Sequence, residues 1–312
     1  MAAALLNILV FPGFLFLIGF SLAGEYLDRV LYARMQNRVG PPWFQPVADL
    51  IKLAAKEDTI PEGADRTIFK LMPVVALTST VVASFYVPLW NAQALFSFSG
   101  DLVVVLYLLT IPTLTFFLGG WFSRSLYSMI GAARAITQLF AYEIPLLLAI
   151  LAPAMLAGTW SISEISAFYE AHPALTPINI IGFGVAMVAL LGKLERVPFD
   201  IPEAETEIVG GAFTEYSGRL LGLFRLCIDI EMIVGASLIA AVYLPFGLGL
   251  PIWAGFPLYV IKVEALILLI SLMRTVMARL RIDQMIDFCW KYMAPLALLQ
   301  LVINLFLKGV VQ

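Results

Sequence analysis

Residues 195–219 read Glu-Arg-Val-Pro-Phe-Asp-Ile-Pro-Glu-Ala-Glu-Thr-Glu-Ile-Val-Gly-Gly-Ala-Phe-Thr-Glu-Tyr-Ser-Gly-Arg. They gather six carboxylates (Glu195, Asp200, Glu203, Glu205, Glu207 and Glu215) and two prolines within a chain that is 61% hydrophobic and only 13% charged. Charge next to a bilayer is costly unless it is paired, hydrated or lining a polar cavity, so the run points to an ion path or a docking surface. The plainer reading is a solvated loop between two membrane helices. Spacing favours the first: Glu203, Glu205 and Glu207 follow a proline, where the first turn of a helix would set carboxylates against its positive end.

The surrounding chain has 312 residues and a mean hydropathy of +0.94. Such hydropathy is far from that of a soluble domain, and the apolar runs recur at bilayer-spanning length. The reading is an all-α integral membrane protein in a single membrane domain. It has eight transmembrane helices, at about 3–24, 70–90, 101–122, 134–157, 177–194, 221–246, 251–274 and 291–308. The N-terminal run lacks a basic leader and is long enough to span, so it counts as the first helix. The loops expected on one face are about 25–69, 123–133, 195–220 and 275–290. With their flanks they hold 17 of the 19 basic residues, leaving Lys262 inside a span and Lys308 near the end. By the positive-inside rule that face is cytoplasmic, the acidic loop lies on it, and both termini face outward.

Within the first of these loops Val47, Leu50, Ile51 and Ala54 recur at helical spacing, with Asp49, Lys52 and Lys56 between them. This predicts a short amphipathic helix in the interface. The preceding Asn-Arg-Val-Gly-Pro-Pro-Trp, residues 37–43, sets Arg38 in a turn at the membrane surface, as a partner contact or as a mere helix stop with an aromatic anchor.

Several charges fall inside spans. Glu143 lies near the predicted start of the fourth, where a carboxylate must be hydrated, protonated or paired. Arg225, Asp229 and Glu231 share the sixth. Arg225 and Asp229, four apart, would face each other, as a structural bridge or as part of a relay. Lys262 and Glu264, two apart, would each seek a partner on another helix, and Lys193 would snorkel to the headgroups. Glu143, Asp229, Glu231, Lys262 and Glu264 are therefore candidate ion-translocating groups. Asp200, Glu203, Glu205, Glu207 and Glu215 form a candidate ion path or docking surface, and Arg38, Arg134, Arg196, Arg219 and Arg225 are candidate docking groups or charge partners. Such a line could pass protons or hold a sodium ion. His172, the only histidine, lies in an outward loop. Cys227 and Cys289 stand alone in different segments and read as small apolar residues. No metal site, phosphate loop or nucleophile motif appears, nor anything that points to nucleic acid, so the chemistry of any associated enzyme would reside in other subunits.

Residues 37–40, 45–53, 197–205, 215–218 and 279–284, in that order, resemble the membrane subunit of respiratory complex I that joins the peripheral and membrane arms, the subunit 1 or H type. The same family serves energy-converting membrane-bound NiFe hydrogenases, formate hydrogenlyase and sulfane-reducing complexes. The resemblance spans nearly the whole chain and implies eight spans with an interfacial helix. It further implies a non-catalytic coupling role that links ferredoxin-driven electron transfer to proton or sodium movement, with Glu143 and the coupling loop of Asp200, Glu203, Glu205, Glu207 and Glu215 taking part. The implied partners are soluble hydrogenase-like large and small iron–sulfur subunits, with antiporter-like membrane subunits alongside. Iron–sulfur clusters and a NiFe centre would sit in those partners and no cofactor in this chain. In the quinone-using branch the sixth span carries a glutamate where this chain has Ile228, and Arg225 is basic here. The chain is thus more similar to the hydrogenase and sulfane-reducing branch, with a quinone-site role as the alternative.

Overall fold

A computed structural model describes the backbone of residues 2–91 and 93–311 and the side chains of 6–91, 93–204 and 206–309. The described residues form helices and no strand. In chain order these are α1 (Ala2–Leu9), α2 (Phe14–Met35), α3 (Gln45–Ala55), α4 (Arg66–Ser84), α5 (Asp101–Phe122), α6 (Leu126–Ala157), α7 (Ile162–Ala171), α8 (Ile180–Lys193), α9 (Glu205–Ile208), α10 (Gly218–Tyr243), α11 (Ile252–Val276), α12 (Ile282–Phe288) and α13 (Ala294–Val311). A π-helical turn, Cys289–Met293, joins α12 to α13. Eight helical stretches are long and apolar enough to cross a bilayer, which agrees with the hydropathy reading.

The axis of the bundle is α10. Every residue from Ile230 to Tyr243 is buried, because α2, α4, α8 and α11 pack around it. A helix apolar on all sides is what such a central position requires. Outside this ring α6 packs against α5, α8 and α13. The amphipathic α3 lies against α10, where Gly222 lets Leu50 and Leu53 approach closely. Its other face leaves Val47 and Ile51 exposed, as an interfacial helix does.

Several boundaries differ from the hydropathy reading. The first predicted span ends at 24, yet α2 runs on to Met35 and carries Glu25, Asp28 and Arg29 on its buried side. Hydropathy stops at the first charge, whereas this helix continues because those charges are paired inside the protein. At 32 residues, α6 is about 48 Å long at 1.5 Å per residue, well beyond a hydrocarbon core of about 30 Å. It begins eight residues before the predicted span, so Arg134 is helical and Glu143 lies near mid-helix instead of near its start. The predicted loop 123–133 shrinks to the turn before Leu126, and 275–290 becomes the short link between α11 and α12.

Residues 194–217 form a packed cap on one end of the bundle. Gln138 of α6 donates Nε2 hydrogen bonds to the carbonyls of Gly192 at 2.7 Å and Phe199 at 2.8 Å. The amide of Leu280 donates to Pro198 O at 3.0 Å. Tyr216 stacks on Phe69 with ring centroids 4.0 Å apart. Close backbone contact finishes the fit: a Cβ on Gly131 would lie 2.6 Å from the Cα of Gly211. The acidic stretch is therefore fixed by the fold and is not a free loop.

Candidate functional site

Between this cap, α2, α3 and α10 lies a cavity of about 620 Å³, far above the ~10–15 Å³ that holds one water. Thirteen of its twenty-three lining residues are ionisable, so the space is built for water and charge and not for an apolar core. Two buried charges come from the stretch of α2 that hydropathy leaves out, Glu25 at the cavity wall and Asp28 behind it. Arg196 donates to Glu25 Oε2 at 2.7 Å and also binds Asp28. Arg274 reaches the same Asp28 carboxylate at 2.7 Å. On the α3 side Arg29 bridges Glu25 at 2.6 Å and Asp49 at 2.9 Å. Three arginines thus alternate with three carboxylates, and the network ties α2, α3, α11 and the cap together. Burial works against the Arg196 charge, but Asp28 and Glu25 outweigh it and raise its pKa above the ordinary value.

The spacing that could have revealed this network is present in the sequence. Glu25, Asp28 and Arg29 recur at i, i+3 and i+4, one helix face, and Ser271 and Arg274 do the same on α11. Ser271 donates to Asp28 Oδ1 at 2.5 Å.

On the membrane side of the cavity the chain turns at Glu195. Its backbone is left-handed, with φ of 50°, a conformation that costs a non-glycine residue about 1–2 kcal/mol. The side chain is buried and lines the cavity, and Oε1 has no hydrogen-bond partner among the described residues. Burial, then the charges of Glu203 and Glu231, push its pKa well above the ordinary carboxylate range.

Two residues earlier, Lys193 overturns the expectation that it snorkels to the headgroups. Its side chain is 1% exposed, and Nζ lies 3.3 Å from Glu231 Oε1, which is equally buried. It also donates to Leu109 O and sits 5.7 Å from the centroid of the Tyr142 ring. The reason is enclosure: α8 ends beneath the cap, and α5, α6 and α10 surround the ammonium before it can reach water. Glu143, the neighbour of Tyr142, lies within electrostatic reach of Lys193 and Glu231, and its Oε2 has no hydrogen-bond partner among the described residues. Tyr142 OH and Thr113 Oγ1 complete the polar patch at 3.0 Å.

The remaining candidates divide. Arg225 does not pair with Asp229 as helical spacing suggests. It reaches across the cavity to Glu203 at 3.0 Å, because it is half exposed at the rim while Asp229, one turn on, lines the interior beside the Glu25 and Arg196 network. Asp200 binds Arg279 at 3.0 Å. Glu207 binds Arg134 at 2.6 Å, and that hydrogen bond pulls the Glu207 pKa below its ordinary value. Arg219 holds Asp58 at 2.7 Å and so fastens the cap to the first loop. Arg38 is exposed, and neither it nor Glu215 forms an ion pair among the described residues. The side chain of Glu205 lies outside the described residues.

Lys262 and Glu264 do not join the line. Lys262 donates to Phe246 O and lies 4.1 Å over that ring, while Glu264 finds no partner on another helix among the described residues. Cys227 and Cys289 are buried free thiols. His172 is exposed, with Nδ1 3.0 Å from Phe168 O. Among the described residues no group of three His, Cys, Asp or Glu side chains could hold a metal ion.

Comparison with known proteins places this architecture. The chain is 35% identical over 294 residues to the second H-type subunit of NADH-quinone oxidoreductase from Syntrophobacter fumaroxidans, which covers 89% of this chain and 88% of that protein. It is 36% identical over 287 residues to the H-type subunit of NADH-quinone oxidoreductase from Dehalococcoides mccartyi, covering 90% and 80%. Among solved structures, a chain of the membrane-bound sulfane sulfur reductase, an archaeal respiratory membrane complex, superposes with a TM-score of 0.84 at 26% identity over 96% of this chain and 98% of that one. The NADH dehydrogenase family model matches residues 6–305, and with the eight spans and capped charged cavity this chain belongs to that family, as an H-type membrane subunit of complex I-like respiratory complexes.

Proposed function

We propose that this chain links electron transfer in a soluble arm, docked on its capped face, to proton movement through the membrane arm, without carrying out redox chemistry itself. The observation that supports this most is continuity of charge. Ionisable groups run from the cavity through Glu195 to Lys193 and Glu231, with Glu143 next in line. A change of charge beside the cap would shift the protonation of each group along this series. In this reading the capped face is cytoplasmic and both termini lie outside a cell membrane. The soluble arm supplies hydrogenase-like large and small iron–sulfur subunits, with a NiFe centre or a sulfane-reducing counterpart, and antiporter-like subunits extend the membrane arm. Sodium is the other candidate ion, to be separated from protons by exchanging one for the other in the assay below.

The test is Glu143→Gln in the assembled complex reconstituted in vesicles. Proton uptake is expected to fall roughly a hundredfold or more, with electron transfer by the detached soluble arm unchanged; unaltered uptake refutes the reading.

The names of the relatives favour a second reading, a quinone-site role. In that case a hydrophobic quinone would enter between α2 and the cap. A cavity with thirteen ionisable lining residues, bridged by Arg225 and Glu203, suits water and protons better than an isoprenoid tail, since each desolvated charge carries a cost. Inhibition of the purified complex by a quinone-site blocker would reverse that preference.

A further inference from the structure

Glu195 is a non-glycine residue in the left-handed region, at the end of α8, where glycine would sit without strain. The residue is 7% exposed and lines the cavity, with one carboxylate oxygen unpartnered among the described residues. The other acids of the cavity wall are mostly matched: Glu25 and Asp49 by Arg29, Asp200 by Arg279, Glu203 by Arg225. Asp229 is the second unmatched acid, and its charged neighbours are Glu25, Arg196, Arg29 and Arg225, all on the cavity side. Glu195 differs in lining the cavity while also standing in the field of charges inside the bundle. The charges that act on it are Glu203 of the cap and Arg225 at the rim of α10, and also Glu231 and Lys193 inside the bundle, the last only two residues away along the chain. A strained residue persists only where the surrounding structure holds it, and such residues cluster at functional sites.

We infer that Glu195 is the group that carries protons between the cavity and the buried Lys193–Glu231 pair. The inference rests on the coupling reading above. In the step, a proton delivered through the cavity forms an O–H bond on the Glu195 carboxylate. That bond breaks as the proton passes to the Glu231 carboxylate, which loses its charge and its hold on the Lys193 ammonium. No electrons move, and Glu195 returns to its anionic form for the next proton. Glu143, within electrostatic reach of Lys193, is the next acceptor.

The experiment compares Glu195→Gln, Glu195→Asp and Glu195→Gly in the assembled complex in vesicles, with electron transfer and proton uptake read together. Glu195→Gln keeps volume and hydrogen bonding but cannot titrate, so uptake per electron should fall roughly a hundredfold with electron transfer retained. Glu195→Asp should restore part of the uptake and shift its pH profile. Glu195→Gly adopts the backbone freely and should assemble at least as well as the natural chain, yet fail to take up protons. A residue with only a helix-ending role gives the opposite pattern, with Glu195→Gln silent and Glu195→Gly equal to or better than the natural chain, and that result overturns the inference. If Glu143→Gln uncouples while Glu195→Gln does not, this inference alone falls. If neither uncouples, the coupling reading falls with it.

Discussion

Replacing Lys193 by Met removes the cation that neutralises Glu231 and leaves a similar volume behind. The Nζ to Oε1 separation of 3.3 Å corresponds to about 5 kcal/mol of attraction at an effective dielectric of about 20. Both side chains are 1% exposed, so the orphaned carboxylate cannot recover that energy from solvent and must take up a proton. Breaking one side of a buried pair costs about 3–5 kcal/mol. The hydrogen bond to Leu109 O adds little, since that carbonyl keeps its place in α5. A loss of this size lowers the melting temperature of a chain of this length by on the order of 10 °C, readable as tryptophan fluorescence of the purified protein in detergent. The double variant Lys193→Met with Glu231→Leu removes both charges and should regain most of the loss, because a matched apolar pair is neutral to stabilising where an ion pair is buried. An unchanged midpoint in the single variant would show that Lys193 is solvated and not enclosed. A double variant as unstable as the single would show that Glu231 is held by something other than this ammonium.

Further outcomes follow from the cap. Gly131→Val puts side-chain atoms where the Gly211 backbone already sits, 2.6 Å from the Cβ position to the Gly211 Cα. The cost should exceed the usual ~1–3 kcal/mol of overpacking, and the soluble arm should no longer co-purify. Arg134→Ala removes an ion pair whose members are 27% and 53% exposed. It should cost at most ~1 kcal/mol, and less as salt is raised, in the same melting assay. Glu195 sets a pH slope. Its native pKa is raised above the ordinary value of 4.5, so between the two the native state keeps a proton that the unfolded chain has lost. Stability therefore falls as pH rises through that interval. Glu195→Gln should flatten melting temperature against pH there, and parallel curves would contradict the buried placement.

The eight spans, the interfacial helix and the acidic cap are legible because they follow from hydropathy, from the apolar spacing of Val47, Leu50 and Ile51, and from the crowding of carboxylates around Glu203. The charge network is not, and for one reason: windowed hydropathy treats every charge as an end to the membrane segment. It assigns Glu25 and Asp28 to a loop, although α2 continues through them because Arg196 and Arg274 arrive from far along the chain. Lys193 reads as snorkelling because it ends a span, and the sequence holds no sign that α5, α6 and α10 close around it. Arg225 and Asp229 satisfy a correct local rule, and the competing carboxylate of Glu203 prevails because the cap folds back over the cavity. Long-range pairing of this kind is set by packing and leaves no periodic trace.

The way the cap is fastened bears on how a signal could cross it. Phe199 is held by Gln138, Pro198 by Leu280, Tyr216 by stacking on Phe69, and Ser217 by Thr59, whose Oγ1 lies 2.6 Å from its own Oγ. These anchors lie at the two ends of the acidic stretch and fix both against α6, the link between α11 and α12, α4 and the first loop. What remains between them is the segment bearing Glu203 and Glu207, whose partners Arg225 and Arg134 are side chains reaching in from helices α10 and α6. Such a frame resists large displacement but lets ion pairs exchange with little backbone cost. On the coupling proposal, a redox event beside the cap would act most readily by changing which carboxylate Arg225 neutralises. Glu195 is within electrostatic reach of both Glu203 and Arg225, so release of Arg225 from Glu203 would alter the field at Glu195 directly. On that proposal charge passed between side chains is the signal that would reach Lys193 and Glu231, and an Arg225→Met variant should uncouple proton uptake from electron transfer even though Arg225 sits at the cavity rim and not beside that buried pair.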